Sequence, residues 1–238
     1  MIGRGLQAVA ILLACAWSIP ALSAKNLCEP KHADASASAP VGSTATYVLI
    51  GVPQSPEIVV SVVISPYIPE SRTLIYGGKS DPDCSVLFNI DKGSFVQKRD
   101  GRDYVFHLVE AVPQTYAFTS WWVRLESTYL ICLADETYAL DIKPGRINYI
   151  GKVAFKPLSS EIKSASRHGP GYRAVQHGAP FGIAGIDQNI DDVRADMAKY
   201  PGIALPIEKV VYRQATFATK ENWLGTPLCY STTERPAS

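Results

Sequence analysis

The chain has 238 residues, of which 47% are hydrophobic, and its 23 Lys and Arg nearly balance its 22 Asp and Glu. A chain so close to neutral has no bulk field to attract polyanions, so nucleic acid is excluded as an expected partner. The length suits one sizeable domain, or one domain with an appendage.

The first 24 residues have the pattern of an export signal. One charge, Arg4, precedes an apolar run from Leu6 to Trp17 that is too short to span a bilayer comfortably. Small residues at 21–24 suit a signal peptidase, and we expect cleavage after Ala24. Residues 12–15, LLAC, also resemble a bacterial lipobox, in which a lipidated Cys15 becomes the mature N-terminus. We therefore expect an exported protein, either periplasmic or attached to the outer membrane by a lipid.

Four cysteines remain once Cys15 is removed or lipidated, and an even number in an oxidising compartment favours two disulfides. Cys28 and Cys229 lie near opposite ends of the chain, while Cys84 and Cys132 lie in strand-like runs. We therefore prefer the pairs Cys28–Cys229 and Cys84–Cys132. A zinc site is disfavoured, because structural zinc sites usually place two thiolates within a few residues of each other.

Residues 25–45 are expected to form a flexible tether. The stretch 34–44, DASASAPVGST, consists largely of small residues punctuated by proline and glycine, with nothing to bury. The tether would join the signal site or a lipid anchor to a folded domain that begins near Thr46.

Residues 46–155 are predicted to form an antiparallel β-sandwich. Apolar residues there follow a period of two or short continuous runs, rich in β-branched and aromatic residues. Turn signals at 53–56, 91–93, 99–102 and 143–146 predict antiparallel hairpins. Closely spaced strands without helical patterns between them favour two sheets packed face to face. The predicted strands are Thr46–Val52, Ile58–Ser65, Thr73–Tyr76, Ser85–Ile90, Phe95–Lys98, Tyr104–Glu110, Thr115–Arg124, Tyr129–Leu133, Tyr138–Ile142 and Arg146–Phe155.

Trp121 and Trp122 are adjacent in a predicted strand, so their side chains point to opposite faces of a sheet. Only one indole can enter the core between the sheets. We expect a C-terminal segment to cover the other, and a binding surface for a ligand is the alternative.

Residues 156–238 are predicted to form a loop, a helix and a C-terminal strand that pack on the sandwich. The loop, 156–186, is rich in Gly and Pro and has no sustained period. Loops of this length are often functional, so it is the first place to look for a site. A strand is predicted over Val210–Phe217.

The single helix is predicted over Asp187–Tyr200, with Asp187 as its N-cap and Pro201-Gly202 as its stop. Its buried stripe is predicted to consist of three apolar residues: Ile190, Val193 and Met197.

One metal hypothesis arises from the histidines. His168 and His177 lie in the long loop, and Asp187 follows it, so the three could combine borderline and hard ligands. An exposed polar loop is the simpler interpretation, because no HxH or HExxH spacing brings two ring nitrogens together. The sequence lacks the GxSxG and phosphate-binding glycine motifs, and we expect no catalytic residues and no cofactor.

Two stretches share one design. Residues 104–118, YVFHLVEAVPQTYAF, and residues 138–151, YALDIKPGRINYIG, are each a strand, a turn led by proline and an aromatic-bearing strand. This pattern resembles β-sandwich modules, broadly transthyretin-like or carboxypeptidase-regulatory-like, in bacterial envelope lipoproteins of the DUF2846-like kind. The resemblance covers about residues 95–155, and Gln114 replaces the usual glycine of the family. It implies a β-sandwich at the envelope and supplies no catalytic residues.

The sequence thus predicts a mainly β protein: an antiparallel sandwich with one C-terminal helix and a long Gly/Pro-rich loop. We expect a non-enzymatic binding or assembly module that acts through an exposed edge strand or the loop. Its partner would be an envelope protein or a cell-wall or membrane component, with membrane attachment only through the lipid. The alternatives are a metal-assisted hydrolase using His168, His177 and Asp187, and a purely structural envelope component.

Overall fold

The computed structural model describes residues 27–28, 30–54, 59–75, 85–89, 93–99, 102–124, 128–134, 136–156, 173–175, 182–221 and 227–228. Two large β-sheets and one helix, α1 (Asp191–Met197), dominate these residues. The strands are β1 (Leu27–Cys28), β2 (Tyr47–Gln54), β3 (Val59–Ile68), β4 (Thr73–Leu74), β5 (Ser85–Asn89), β6 (Phe95–Arg99), β7 (Arg102–Glu110), β8 (Thr115–Arg124), β9 (Thr128–Cys132), β10 (Thr137–Asp141), β11 (Ile147–Phe155), β12 (Arg173–Val175), β13 (Ile183–Asp187), β14 (Ile207–Lys209), β15 (Tyr212–Ala215), β16 (Lys220–Glu221) and β17 (Pro227–Leu228).

The larger sheet has nine described strands in the order β1-β5-β3-β8-β10-β15, with β4 beside β3, β9 beside β8 and β12 beside β9. The second sheet has six, in the order β13-β11-β2-β7-β6, with β14 beside β11. Most neighbouring strands are antiparallel, which confirms the predicted fold class. The centre of the second sheet differs, because β2 and β11 run parallel with Tyr47 opposite Ile147.

The ten strands predicted between residues 46 and 155 are present as β2 to β11. Three of the four turn signals nevertheless lie between strands of different sheets. These are the signals at 53–56, 91–93 and 143–146, whereas the signal at 99–102 lies between β6 and β7, which pair antiparallel. Turn residues reverse the chain, but they do not determine which sheet the next strand joins.

A central core fills the space between the sheets. It draws alternate residues from β2, namely Val48, Ile50 and Val52, while Tyr47 and Leu49 point to the other face. That other face packs on a helix-side core, which includes residues from α1, from 33–39 and from 200–205. The second sheet is therefore covered on both faces, and its central strands form continuous apolar runs for this reason.

Residues 30–45 do not form the predicted tether, because they lie against the second sheet. The Ala33 N–H donates to the Leu108 carbonyl at 2.8 Å, and the Ala39 N–H donates to the Gly202 carbonyl at 2.8 Å. Ala39 is fully buried. The small residues that suggested a tether instead allow close approach: a Cβ on Gly202 would lie 2.3 Å from the Ala37 carbonyl oxygen.

The helix is shorter than predicted. Asp187 is the last residue of β13 and not an N-cap, and α1 begins after Ile190, which makes no side-chain cap. Residues 183–187 adopt an extended conformation because they pair with β11, with Ile183 opposite Phe155. The predicted stripe does face inward, with Val193 and Met197 buried. The described part of the chain contains no helix long and apolar enough to span a membrane.

Candidate functional site

The predicted metal site falls only partly within the described residues. His168 and His177 lie outside them. The Asp187 Oδ2 lies 2.8 Å from the Lys152 Nζ, so this carboxylate pairs with a lysine. Within the ranges given above, no group of three His, Cys, Asp or Glu side chains is placed to hold a metal ion.

Lys152 forms the centre of an ionic cluster on the helix side of the second sheet. Its Nζ lies 2.7 Å from the Asp192 Oδ2, and the two side chains are 6% and 2% exposed. Burial acts to lower the pKa of Lys152, but hydrogen bonds and charges from Asp187 and Asp192 outweigh it and raise the pKa. The cluster therefore attaches β11 to β13 and to the first turn of α1.

Tyr149 lies on the same face as Lys152 because a bulge at Gly151 shifts the register of β11. The ring is buried, and its hydroxyl has no hydrogen-bond partner among the residues that the structure describes. Burial, and then the charges of Asp187 and Asp192, raise the pKa of Tyr149. The hydroxyl therefore stays protonated, and we assign this cluster to stability because its lysine is already paired.

A second buried polar group, His107, lies on β7. It is fully buried, and within the described ranges neither ring nitrogen has a hydrogen-bond partner. The His32 and Phe88 ring centroids each lie 5.5 Å from its own. Burial, and then the charge of His32, lowers the pKa of His107 to about 3. The ring is therefore neutral at physiological pH.

The two tryptophans lie on opposite faces of the larger sheet. Trp121 is in the central core, and its ring stacks on Phe155 with centroids 4.5 Å apart. Trp122 packs on the outer face against a cluster that also contains Phe217 of the C-terminal segment. Coverage of the second indole by that segment stays a prediction.

Of the cysteines, Cys132 has a buried free thiol. Cys15, Cys84 and Cys229 lie outside the described residues, and so does the side chain of Cys28. In this structure Cys132 therefore does not form the predicted bond to Cys84. The Cys28–Cys229 pair and the lipidation of Cys15 stay predictions.

A cleft of about 570 Å³ lies on the outer face of the larger sheet. Three chain segments line it: the end of β3 with the turn that follows, the start of β10, and the edge strand β15 with Thr216. The Tyr67 hydroxyl donates a hydrogen bond to the Thr216 carbonyl at 2.9 Å. This bond joins the first segment to the third and fixes one end of the cleft.

Two arginines and one glutamate supply the charges of the lining. Arg213 Nη1 donates to Asp141 Oδ2 at 2.7 Å, and Glu136 Oε2 lies 3.3 Å from Lys156 Nζ. Arg72 forms no ion pair with the described part of the chain. Among the described residues, the cleft therefore has one guanidinium that forms no ion pair.

Arg72 also has an unusual backbone. It is the one non-glycine residue with a positive φ in the described ranges, at 54°. Its N–H donates to the Pro69 carbonyl at 3.3 Å, and its carbonyl accepts from the Ala218 N–H at 3.0 Å. This conformation costs about 1–2 kcal/mol for a residue with a side chain. Such strain concentrates at ligand sites.

Sequence reasoning missed this cleft because no local motif marks it. Its lining comes from residues 67–72, 136–137 and 213–216, which only the sheet order brings together. The sole local signal is the turn formers at 69–71, and they do not indicate that the next arginine faces a cleft.

Comparison of the chain with protein-family models, with curated proteins and with solved structures gives no match in any of the three. These three comparisons therefore contribute nothing to a functional assignment. The geometry and chemistry of the cleft are the basis for the proposal that follows.

Proposed function

We propose that the protein is a non-enzymatic binding module that takes a small polar ligand in the cleft on the larger sheet. The observation that supports this is the cleft itself. Its volume of about 570 Å³ lies within the range of small-molecule sites. Charged, hydroxyl and amide side chains line it beside the apolar surfaces of Tyr67 and Ala215. Polar groups in such a lining orient a ligand, and the apolar surfaces give it contact area.

The position of the cleft beside an edge strand adds to this proposal. Within the described residues, β15 pairs only with β10 and ends the strand order of the larger sheet. The outer edge of such a strand offers backbone donors and acceptors to a ligand. The ligand can therefore bind both side chains and backbone.

The protein is, in this proposal, exported to the bacterial periplasm or attached to the outer membrane. The pattern of residues 1–24 and the resemblance of residues 95–155 to envelope modules support this location. Mass spectrometry of the N-terminus in the producing cell tests it. A free Lys25 or an acylated Cys15 is the expected result, and a chain that retains Met1 would contradict export.

The binding proposal is tested by titrating the ¹⁵N-labelled chain with a set of small polar compounds and following its amide signals. We expect saturable shifts at Thr137, Gln214 and Thr216, which line the cleft. Gln214→Trp should block these shifts. Lys209→Trp, on an exposed residue of the second sheet, should not. A result in which no compound shifts the cleft amides overturns the proposal, and a stoichiometric transition metal lost in His168→Ala/His177→Ala would favour the hydrolase.

A further inference from the structure

We infer that the cleft takes a ligand with an anionic group, a carboxylate or a phosphate, held between Arg72 and Arg213. This inference rests on the proposed function, because it names the chemistry of the ligand in that same cleft. It depends on charge, on geometry and on the backbone of Arg72.

The charge balance of the lining favours an anion. Asp141 accepts from one terminal nitrogen of Arg213, and Lys156 lies beside Glu136, so each of these two lining charges has an opposite partner. Arg72 has no such partner within the described ranges. A guanidinium offers five N–H donors in a planar fork, which matches the oxygens of a carboxylate or phosphate.

Both arginines line the cleft together with Tyr67. Burial raises the pKa of Tyr67, Arg72 and then Arg213 act to lower it, and Glu70 acts to raise it. The phenol oxygen is fixed by its hydrogen bond to the Thr216 carbonyl, 2.9 Å away. An anionic group in the cleft can therefore meet two guanidinium groups and one fixed phenol ring.

The backbone supplies the independent observation. At a φ of 54°, glycine would fit without strain, yet the chain places arginine there. The hydrogen bonds to the Pro69 carbonyl and from the Ala218 N–H hold Arg72 in that conformation and so fix the point from which its side chain leaves the turn. Strained residues of this kind concentrate at ligand sites.

Calorimetric titration of the full chain with citrate, inorganic phosphate and neutral glucose tests the inference. We expect saturable binding of at least one anion, weakened by added salt, and no binding of glucose. The citrate and phosphate arms separate a carboxylate ligand from a phosphate ligand. Arg72→Gly suits the backbone and removes the guanidinium, so it should weaken anion binding at least about tenfold without lowering the melting temperature. Arg213→Gln should also weaken binding.

Arg194→Gln is the matched control, because Arg194 is an exposed arginine on α1, away from the cleft. Equal loss of binding in Arg72→Gly and Arg194→Gln would overturn the inference, since the anion would then respond only to overall charge. If neither anion binds and neutral compounds still shift the cleft amides, the inference fails and the binding module stands. If no compound of any charge shifts those amides, both fail.

Discussion

The two outer faces of the sandwich are covered in different ways. On the second sheet, α1 and residues 30–45 cover the outer face, and the helix-side core lies beneath them. On the larger sheet, a smaller cluster around Tyr67, Cys132 and Phe217 covers part of the face, and a cleft of about 570 Å³ lies beside it. Among the described residues, the cleft on the larger sheet is thus bordered by an incompletely covered face.

The faces also differ in how they treat charge and strain. On the covered face, Lys152 is buried and paired with Asp192, and the positive φ of 116° in β11 falls on a glycine, Gly151. On the cleft face, Arg72 is exposed, has no carboxylate partner in the described ranges and holds a positive φ itself. The buried ion pair and the glycine stabilise the covered face. On the cleft face, the positive φ of Arg72 costs stability, and its guanidinium forms no ion pair among the described residues.

The largest expected effect comes from opening the ion pair of the covered face. Lys152→Ala should lower the free energy of unfolding by about 3–5 kcal/mol, because the Asp192 carboxylate stays buried without its cation. Urea denaturation measures this loss. Arg194→Ala removes a pair in which both side chains are largely exposed, so it should cost under about 1 kcal/mol. Similar losses in the two variants would show that the buried pair contributes no more than a surface pair.

Gly151→Ala should have the next largest effect, a loss of about 2–3 kcal/mol. The φ of 116° is strained for alanine, and the new Cβ would lie 2.6 Å from the Asp187 carbonyl oxygen. Gly185→Ala, on the neighbouring strand β13, is the control, since nothing lies within 4 Å of a Cβ there. Thermal unfolding of both variants measures the difference. If Gly151→Ala is as stable as Gly185→Ala, the bulge does not require glycine.

The strands were predictable because the pattern of apolar residues along the sequence indicates which side chains are buried. The run YVLIGV of β2 is apolar at nearly every position, since Val48 and Ile50 face the central core while Tyr47 and Leu49 face the helix-side core. Its strand character follows from β-branched residues and turn formers. The sequence therefore located β2 to β11, although it did not assign them to sheets.

The remaining features depend on contacts between distant segments. Ala33 and Ala39 are small residues in a polar stretch, and only their bonds to Leu108 and Gly202 make them part of the fold. Asp187 is of a residue type that favours the N-cap position, but it ends a strand because it pairs with Lys152 of β11. Arg72 belongs to a cleft only once β15 lies beside β10. None of these long-range pairings has a local signature.

Low pH should destabilise the protein through a histidine that is buried between the two sheets. His107 has a pKa of about 3 in the folded protein against an ordinary 6.5, so below pH 6.5 only the unfolded chain takes up the proton. Stability should therefore fall by about 1 kcal/mol between pH 7 and pH 5.5 through this residue alone. Denaturation at both pH values should show a smaller fall in His107→Phe. An equal fall would mean that His107 does not titrate in this way.

The smallest expected effect is a gain in stability from a substitution on the cleft face. Arg72→Gly should raise the free energy of unfolding by about 0.5–1 kcal/mol, because relief of the left-handed backbone exceeds the entropy that glycine adds to the unfolded chain. Gly145 has a φ of 69°, and a Cβ there would lie 3.1 Å from the Ser43 carbonyl oxygen. Gly145→Ala should therefore lower the free energy of unfolding by about 1 kcal/mol. A higher melting temperature for Arg72→Gly and a lower one for Gly145→Ala would show that glycine avoids backbone strain at position 145, whereas the arginine at position 72 is strained. A loss in Arg72→Gly would mean that the side chain stabilises the turn, and the strain would no longer indicate a binding role.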